Sequence, residues 1–307
     1  MLHKVTGATP PCASDSLLLT FDVEDWRPLA DEWVAGVRTQ PSGRVPAQME
    51  RIRRLLDQAG ARATFFWLGY VAELYPGLVK ALAADGHEIA SHGYSHTPLT
   101  KLTPETFEAD LRRANDVLAS IAGRAPAGFR APQFSINRRT WWAFEILARN
   151  GYAYDSSIFP IRHRRYGVPD FGRAPSAVRT PAGDVWELPM ATLHSFGMNL
   201  PVAGGGYFRL LPFSVLRFAV RNRGVAAGPF TAYFHPYEFD PEPLSLSIRP
   251  EGFRRSMRAH LFQWLQNLRR RSLPLKLGQI IPEIPIETCG GFLARRGESR
   301  LQTNASR

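Results

Sequence analysis

Three carboxylates close an apolar run near the start of this chain. Leu17-Leu18-Leu19-Thr20-Phe21 gives way to Asp22, Glu24 and Asp25 within the stretch Leu17 to Trp26. A short run of this kind reads as a buried strand of an α/β protein, and such strands present ligand groups at their carboxyl ends. A second stretch, Ser91-His92-Gly93-Tyr94-Ser95-His96, places two imidazoles at i and i+4. If the intervening residues make a helical turn, the two rings share a face and can converge on a metal ion. Two imidazoles and one carboxylate are a donor set for a divalent metal that leaves one coordination position open. Arg130, Asp155 and His235 each lie within or just after a strand-like segment. His235, followed by Pro236, is a candidate acid or base. Taken singly, each residue has a plainer reading. One of the three acids caps the next helix, Arg130 forms a structural ion pair, Asp155 caps the turn at Ser156 and Ser157, and the histidines are surface or core residues. Their shared position at strand ends is what favours a site.

The elements that must position these residues alternate strand and helix, the pattern of an α/β fold with a parallel sheet or barrel. Residues 27 to 45 read as a polar loop. Met49, Ile52, Leu55, Leu56 and Ala59 recur at helical spacing and predict a helix from Pro46 to Ala59. Strands are expected at Ala63 to Leu68 and His87 to Ala90, with a helix from Val71 to Ala84 interrupted near Pro76. Thr103 as N-cap and Pro104 at the first helical position open a helix that runs to Ala122. Ala127 to Ala131 and Tyr152 to Ser156 read as strands around a helix from Arg138 to Asn150, and Phe230 to Phe234 as a late strand. Gly204-Gly205-Gly206 lacks the spacing of a phosphate loop and reads as a tight loop that permits close backbone approach, to substrate among other groups. One amphipathic helix is expected beyond Asp240, and a polar tail from Arg295.

A length of 307 residues with 44% hydrophobic content suits one catalytic-size domain. The net charge of +11 would suit an anionic partner, but the basic residues are scattered as well as clustered, and solvated faces account for them equally; nucleic acid is not an expected partner. Cys12 and Cys289 show no CxxC spacing, which argues against a thiolate zinc site and a disulfide framework. Residues 1 to 16 show no apolar export signal and no run approaches the ~20 apolar residues of a membrane span, so a cytoplasmic location is expected. Pro212 to Arg223 and Gly252 to Arg271 combine apolar residues with several Arg. Amphipathic helices packed on the core with Arg outward are the expectation for both, and peripheral contact with the inner membrane face is the alternative.

In chain order, Thr20-Phe21-Asp22-Val23-Glu24-Asp25, then Ser91-His92-x-x-x-His96, Arg130-Ala131-Pro132, Asp155-Ser156-Ser157 and Phe234-His235-Pro236 resemble the motifs of the polysaccharide deacetylases with NodB-type homology, carbohydrate esterase family 4. Phe-Asp-Val-Glu-Asp, Gly-Gly-Gly-Tyr-Phe-Arg and Phe-His-Pro-Tyr-Glu further resemble the subgroup found with bacterial exopolysaccharide and exosortase systems. The resemblance implies an α/β fold, a distorted (β/α) barrel of about seven strands over residues 17–240. An N-terminal segment (1–16) would precede it, and a C-terminal extension (241–294) packed on the barrel and a flexible tail (295–307) would follow. It also implies a divalent metal, most readily Zn2+, held by His92, His96 and either Glu24 or Asp25, with Asp25 slightly preferred. Asp22 matches the family's catalytic base, oriented by Arg130, and His235 the acid, supported by Asp155. The implied reaction hydrolyses N-acetyl groups from the amino sugars of an exopolysaccharide or its lipid-linked precursor and releases acetate, so an N-acetylated glycan is the implied partner. Hydrolysis of a small cyclic amide, as in relatives of the same superfamily, and glycan binding without catalysis are the alternatives. One departure is Gln133-Phe134, where many members carry a tyrosine whose backbone N–H helps to hold the oxyanion.

Overall fold

A computed structural model describes residues 16–163, 165–222, 228–248 and 253–297 of the chain. The segment before Ser16 and the tail beyond residue 297 lie outside the described residues.

β1 (Leu17–Val23) is buried throughout, as an unbroken apolar run in a parallel sheet must be. Its pleat sends Leu17, Leu19, Phe21 and Val23 to the helix layer and Leu18, Thr20 and Asp22 inward. α1 (Trp26–Ala35) begins at once, capped by Asp25, whose side chain accepts the Arg27 N–H. The loop expected over residues 27 to 45 therefore opens with a helix. Its polar residues and Pro28 hide it in the sequence, although proline is tolerated in a first turn. α2 (Val45–Gln58) buries Met49, Ile52 and Leu56 and leads to β2 (Thr64–Trp67). Pro76 divides the next helix into α3 (Gly69–Leu74) and α4 (Pro76–Ala84), ahead of β3 (Glu88–Ser91). α5 (Pro104–Ala122) has Thr103 and Thr106 in a reciprocal capping box and Gly123 as its left-handed stop.

β4 (Gly128–Phe129), α6 (Ala143–Arg149), β5 (Tyr154–Asp155), β6 (Ser176–Thr180) and β7 (Gly183–Glu187) follow. A separate hairpin, β8 (Thr192–Ser195) and β9 (Met198–Pro201), precedes α7 (Gly205–Leu210), α8 (Phe213–Arg221) and β10 (Phe230–Phe234). The chain closes with α9 (Phe253–Asn267), α10 (Ser272–Ile280), β11 (Ile286–Glu287) and α11 (Cys289–Arg295).

The main sheet runs β10-β1-β2-β3-β4-β5-β7-β6, parallel up to β7, with β6 antiparallel at its edge and β11 paired with the start of β1. It curls into a seven-stranded open barrel. The chain after β7 spans the gap to β10, with Met190 N–H donating to Ile158 O and Ala191 N–H to Thr231 O. The barrel interior is apolar at its amino end, where Leu18, Phe66, Ala90, Tyr154 and Leu188 meet Cys289, Phe292 and Leu293 of α11. α11 stoppers that end: Cys289 N–H donates to Thr64 Oγ1 and Gly290 N–H to Glu88 Oε2, both at 2.9 Å.

Two sequence expectations are corrected in this region. Gly204-Gly205-Gly206 is no loop: Gly204 caps α7 and the next two residues open it. A Cβ on Gly205 would stand 2.0 Å from Glu238 Oε2, and one on Gly204 would stand 2.6 Å from the Tyr233 ring. The glycines therefore admit the residues flanking His235, not substrate. Beyond Asp240 there are three helices where one was expected, and α9 is not packed apolar face inward. Ala259 and Phe262 face the protein, while Met257, Leu261, Trp264 and Leu265 are exposed.

Candidate active site

Asp22, Glu24, His92, Arg130 and His235 all lie in the last residues of β1, β3, β4 and β10 or directly beyond them, so the parallel sheet brings them to one end of the barrel. Arg130 is wholly buried. Its Nη1 donates to Asp22 Oδ1 and to Thr20 Oγ1, both at 2.7 Å, its Nε to Ser156 O and its Nη2 to Ser156 Oγ. Phe66 lies under the guanidinium at 4.1 Å. Every direction in which Arg130 could swing is occupied, so Asp22 is held by a fixed cation.

One ligand atom from each of Glu24, His92 and His96 falls within 4.8 Å of the others. His92 Nδ1 lies 2.7 Å from Arg130 O and donates to it, which turns the unprotonated Nε2 toward the cluster. Burial pushes the His92 pKa down to about 4, so the ring is neutral and able to ligate at neutral pH. His96 Nε2 stands 2.9 Å from Glu24 Oε2. Burial opposes the charge on Glu24, but His96, His235 and His92 around it outweigh that and hold its carboxyl at about 2.

The two histidines do not converge through a helical turn, as the spacing suggested. Residues 92 to 96 form a bend with Gly93 at φ 77° and His96 at φ 62°. Asp110 of α5 holds that bend, accepting the Tyr94 N–H at 2.7 Å and the Ser95 N–H at 3.1 Å. Nothing in the sequence pointed to Asp110, because a helix residue sixteen positions on carries no motif signal.

Asp25 requires a correction. Its Oδ1 accepts from Arg27 N–H and its Oδ2 from Ser42 N–H at 2.6 Å, so the carboxylate is turned away from the histidines and spent on capping α1. Strand alternation explains the split: Asp22 and Glu24 share the inward parity of β1, and Asp25 does not.

Asp155 requires a second correction. It does not reach His235; it accepts from Ser157 Oγ and Ser157 N–H and faces Glu187. The carboxylate beside His235 belongs to Glu238, with Oε2 at 3.4 Å from Nδ1 and 3.0 Å from the His235 amide nitrogen. The signal for Glu238 was legible, since it stands three residues after His235 in a capping-box position. On the other side, His235 Nε2 lies 3.6 Å from Glu24 Oε1. Burial lowers the His235 pKa, but Glu24, Glu238 and Asp22 outweigh it and raise the value to about 9. Gln133 and Phe134, after Pro132, both take left-handed backbone conformations, a strained pair directly beyond Arg130.

Comparison with known proteins places this geometry. A family model described as polysaccharide deacetylase matches residues 11–154, and one described as a domain of unknown function (DUF3473) matches residues 156–275. A peptidoglycan deacetylase-like protein of Gibberella zeae is 36% identical over 35% of this chain and 32% of its own length. A peptidoglycan-N-acetylglucosamine deacetylase of Bacillus cereus is 37% identical over 29% of this chain and 33% of its own length. The chain thus spans about a third of the length of these curated relatives. A Mycobacterium smegmatis protein assigned as a polysaccharide deacetylase shares the fold at a TM-score of 0.64, with 21% identity and 99% of both chains covered. Asp22, the two histidines and Arg130 all lie inside residues 11–154, the segment of this chain that matches the polysaccharide deacetylase family.

Proposed function

We propose that the chain is a metal-dependent hydrolase that removes N-acetyl groups from amino sugars of a bacterial exopolysaccharide or its lipid-linked precursor. One observation carries the reading. A carboxylate clamped by a buried arginine lies at the same strand ends as a three-donor cluster and a histidine whose ring is backed by Glu238. The cluster fits a divalent cation such as Zn2+: the donors are one carboxylate and two imidazoles, and the outward nitrogen of His92 is already fixed by a carbonyl. When bound, such a cation supplies a Lewis acid that polarises an amide carbonyl and makes water more acidic.

The remaining chemistry belongs to the chain. Asp22, held through Oδ1, uses Oδ2 to take the proton of the attacking water. Arg130 fixes that geometry and acts on no substrate atom itself. His235 gives its proton to the departing amine nitrogen, so that an amide and water become acetate and a free hexosamine. Glu238 on the far side of the ring favours the charged form that this step needs. Glu24, not Asp25, is the carboxylate we assign to the metal. The exopolysaccharide substrate is supported by the Gly204-Gly205-Gly206 and Phe234-to-Glu238 motifs, which the structure packs together beside His235.

Acetate release from N-acetylhexosamine oligomers, measured beside metal content for wild type, His92→Ala and His96→Ala, tests the reading. About one metal per chain, lost together with acetate release in both variants, is expected. A wild type that takes up no metal on supplementation, or that releases no acetate while turning over a small cyclic amide, overturns it.

A further inference from the structure

α9 has its apolar stripe on the wrong side for a globular protein. Met257, Leu261, Trp264 and Leu265 recur at i, i+4, i+7 and i+8, one face of a helix, and are 55, 55, 58 and 44% exposed. Trp33 of α1, 57% exposed, extends this face, with its ring 4.5 Å from Phe262. A run of four large apolar side chains on one helix face is not the scatter of single hydrophobics that any surface shows.

The helix is nonetheless firmly seated. Phe262 stacks on Trp26, Gln263 Oε1 accepts the Leu246 N–H and Asn267 Oδ1 accepts the Leu244 N–H. Trp26 and Tyr237 form the base of this seat. They are two residues from Glu24 and from His235 respectively, and the Tyr237 ring stacks on His235 at 4.9 Å. The inward face of α9 therefore rests on residues that adjoin the site, and the stripe is carried on its outward face.

Charge selects the occupant. From residue 252 to residue 282 the sequence holds six Arg, one Lys and no acidic residue, of which Arg270 and Lys276 are turned inward onto backbone carbonyls. Arg258, Arg269 and Arg271 are exposed on the same segment. A second copy of the chain docked through this face about a two-fold axis would set these cations against themselves. An anionic bilayer meets both demands at once: its headgroups neutralise the arginines, and its interface accepts the aromatic and aliphatic stripe of a helix lying in the plane. No helix among the described residues is long and apolar enough to cross a membrane, so attachment would be peripheral.

We infer that α9, with Trp33, is a docking surface for an anionic lipid bilayer. This inference stands on the helix face and its charge and does not require the hydrolase reading.

The test is co-sedimentation of the full chain with vesicles of phosphatidylcholine, with and without phosphatidylglycerol, for wild type and for Leu261→Ser/Trp264→Ser. Wild type should bind the anionic vesicles at physiological salt and not the neutral ones. The double variant should bind about tenfold or more weakly, with an unchanged thermal melt because both side chains are already largely in water. Absence of binding to anionic vesicles at low salt overturns the inference, as does binding that the double variant leaves unchanged. A dimer in analytical ultracentrifugation that the same variant dissolves would assign the face to a second copy and also overturn it. Acetate release from a soluble oligosaccharide should be the same in both proteins, which separates a failure here from a failure of the proposed reaction.

Discussion

Arg130 Nη1 donates to Asp22 Oδ1 at 2.7 Å, with the two side chains 0 and 3% exposed. A buried ion pair is weak evidence for stability, because desolvation offsets much of the attraction, yet breaking one partner leaves the other charge uncompensated. Here the same guanidinium also ties Thr20 of β1 to Ser156 beyond β5, so it braces two walls of the barrel while aiming the carboxylate.

Arg130→Lys keeps the charge but loses the fork that serves Asp22, Thr20 and Ser156 together. Acetate release should fall about a hundredfold in kcat with KM nearly unchanged, since the substrate is not touched and only the base is misplaced. Arg130→Ala should cost about 3–5 kcal/mol of stability in denaturant titration, because Asp22 is left buried without its partner. An unchanged kcat for Arg130→Lys would remove the positioning role.

Glu24 and Asp25 separate by substitution. Glu24→Gln should lose most of the bound metal in elemental analysis. Asp25→Ala should keep it and lower stability by about 1 kcal/mol through loss of the α1 cap. Metal loss in the Asp25 variant with retention in the Glu24 variant would reverse the assignment.

The contact between α7 and Glu238 predicts a catalytic effect for a glycine that is not itself a site residue. Gly205→Ala places a methyl group where Glu238 Oε2 stands, so the carboxylate must leave His235. A fall in kcat of about tenfold or more is expected, with metal content retained. Glu238→Gln should behave alike, and the two changes together should be no worse than either, which a double-mutant cycle measures.

Asp155 and Glu187 form a buried carboxyl pair. Glu187 Oε1 accepts the Ile158 N–H, and Oε2 has no donor of its own but faces Asp155, so one proton shared between the two acids satisfies both. Burial and the neighbouring Asp155 raise the Glu187 pKa well above the usual carboxyl value. A folded-state pKa above the unfolded one contributes stability that is complete below the unfolded pKa near 4.5 and is lost as pH rises through the folded value. The wild-type melting temperature should therefore drop from mildly acidic toward alkaline pH, and Glu187→Gln should flatten that slope. A parallel pH dependence in both proteins would exclude the shared proton.

The strand at Leu17 to Val23, the capped helix from Pro104 to Ala122 and the strand-end placement of Asp22, His92, Arg130 and His235 were all legible in the sequence. Each rests on local rules: a period of two, a capping residue, an apolar run that stops at polar residues. The motif order added the family and the barrel. Which carboxylate faces the histidines was not legible, because adjacent acids differ only in which side of the pleat they leave, and the first turn of α1 settled that for Asp25. The partner of His235 was misassigned for a related reason. Glu238 was within reach of a capping-box reading, three residues after His235, but the motif resemblance pointed to Asp155, and only the folded site shows that Asp155 is spent on Ser157. The outward stripe of α9 was invisible for the most general reason: periodicity shows that a helix has two faces, and only the tertiary structure decides which of them the protein covers.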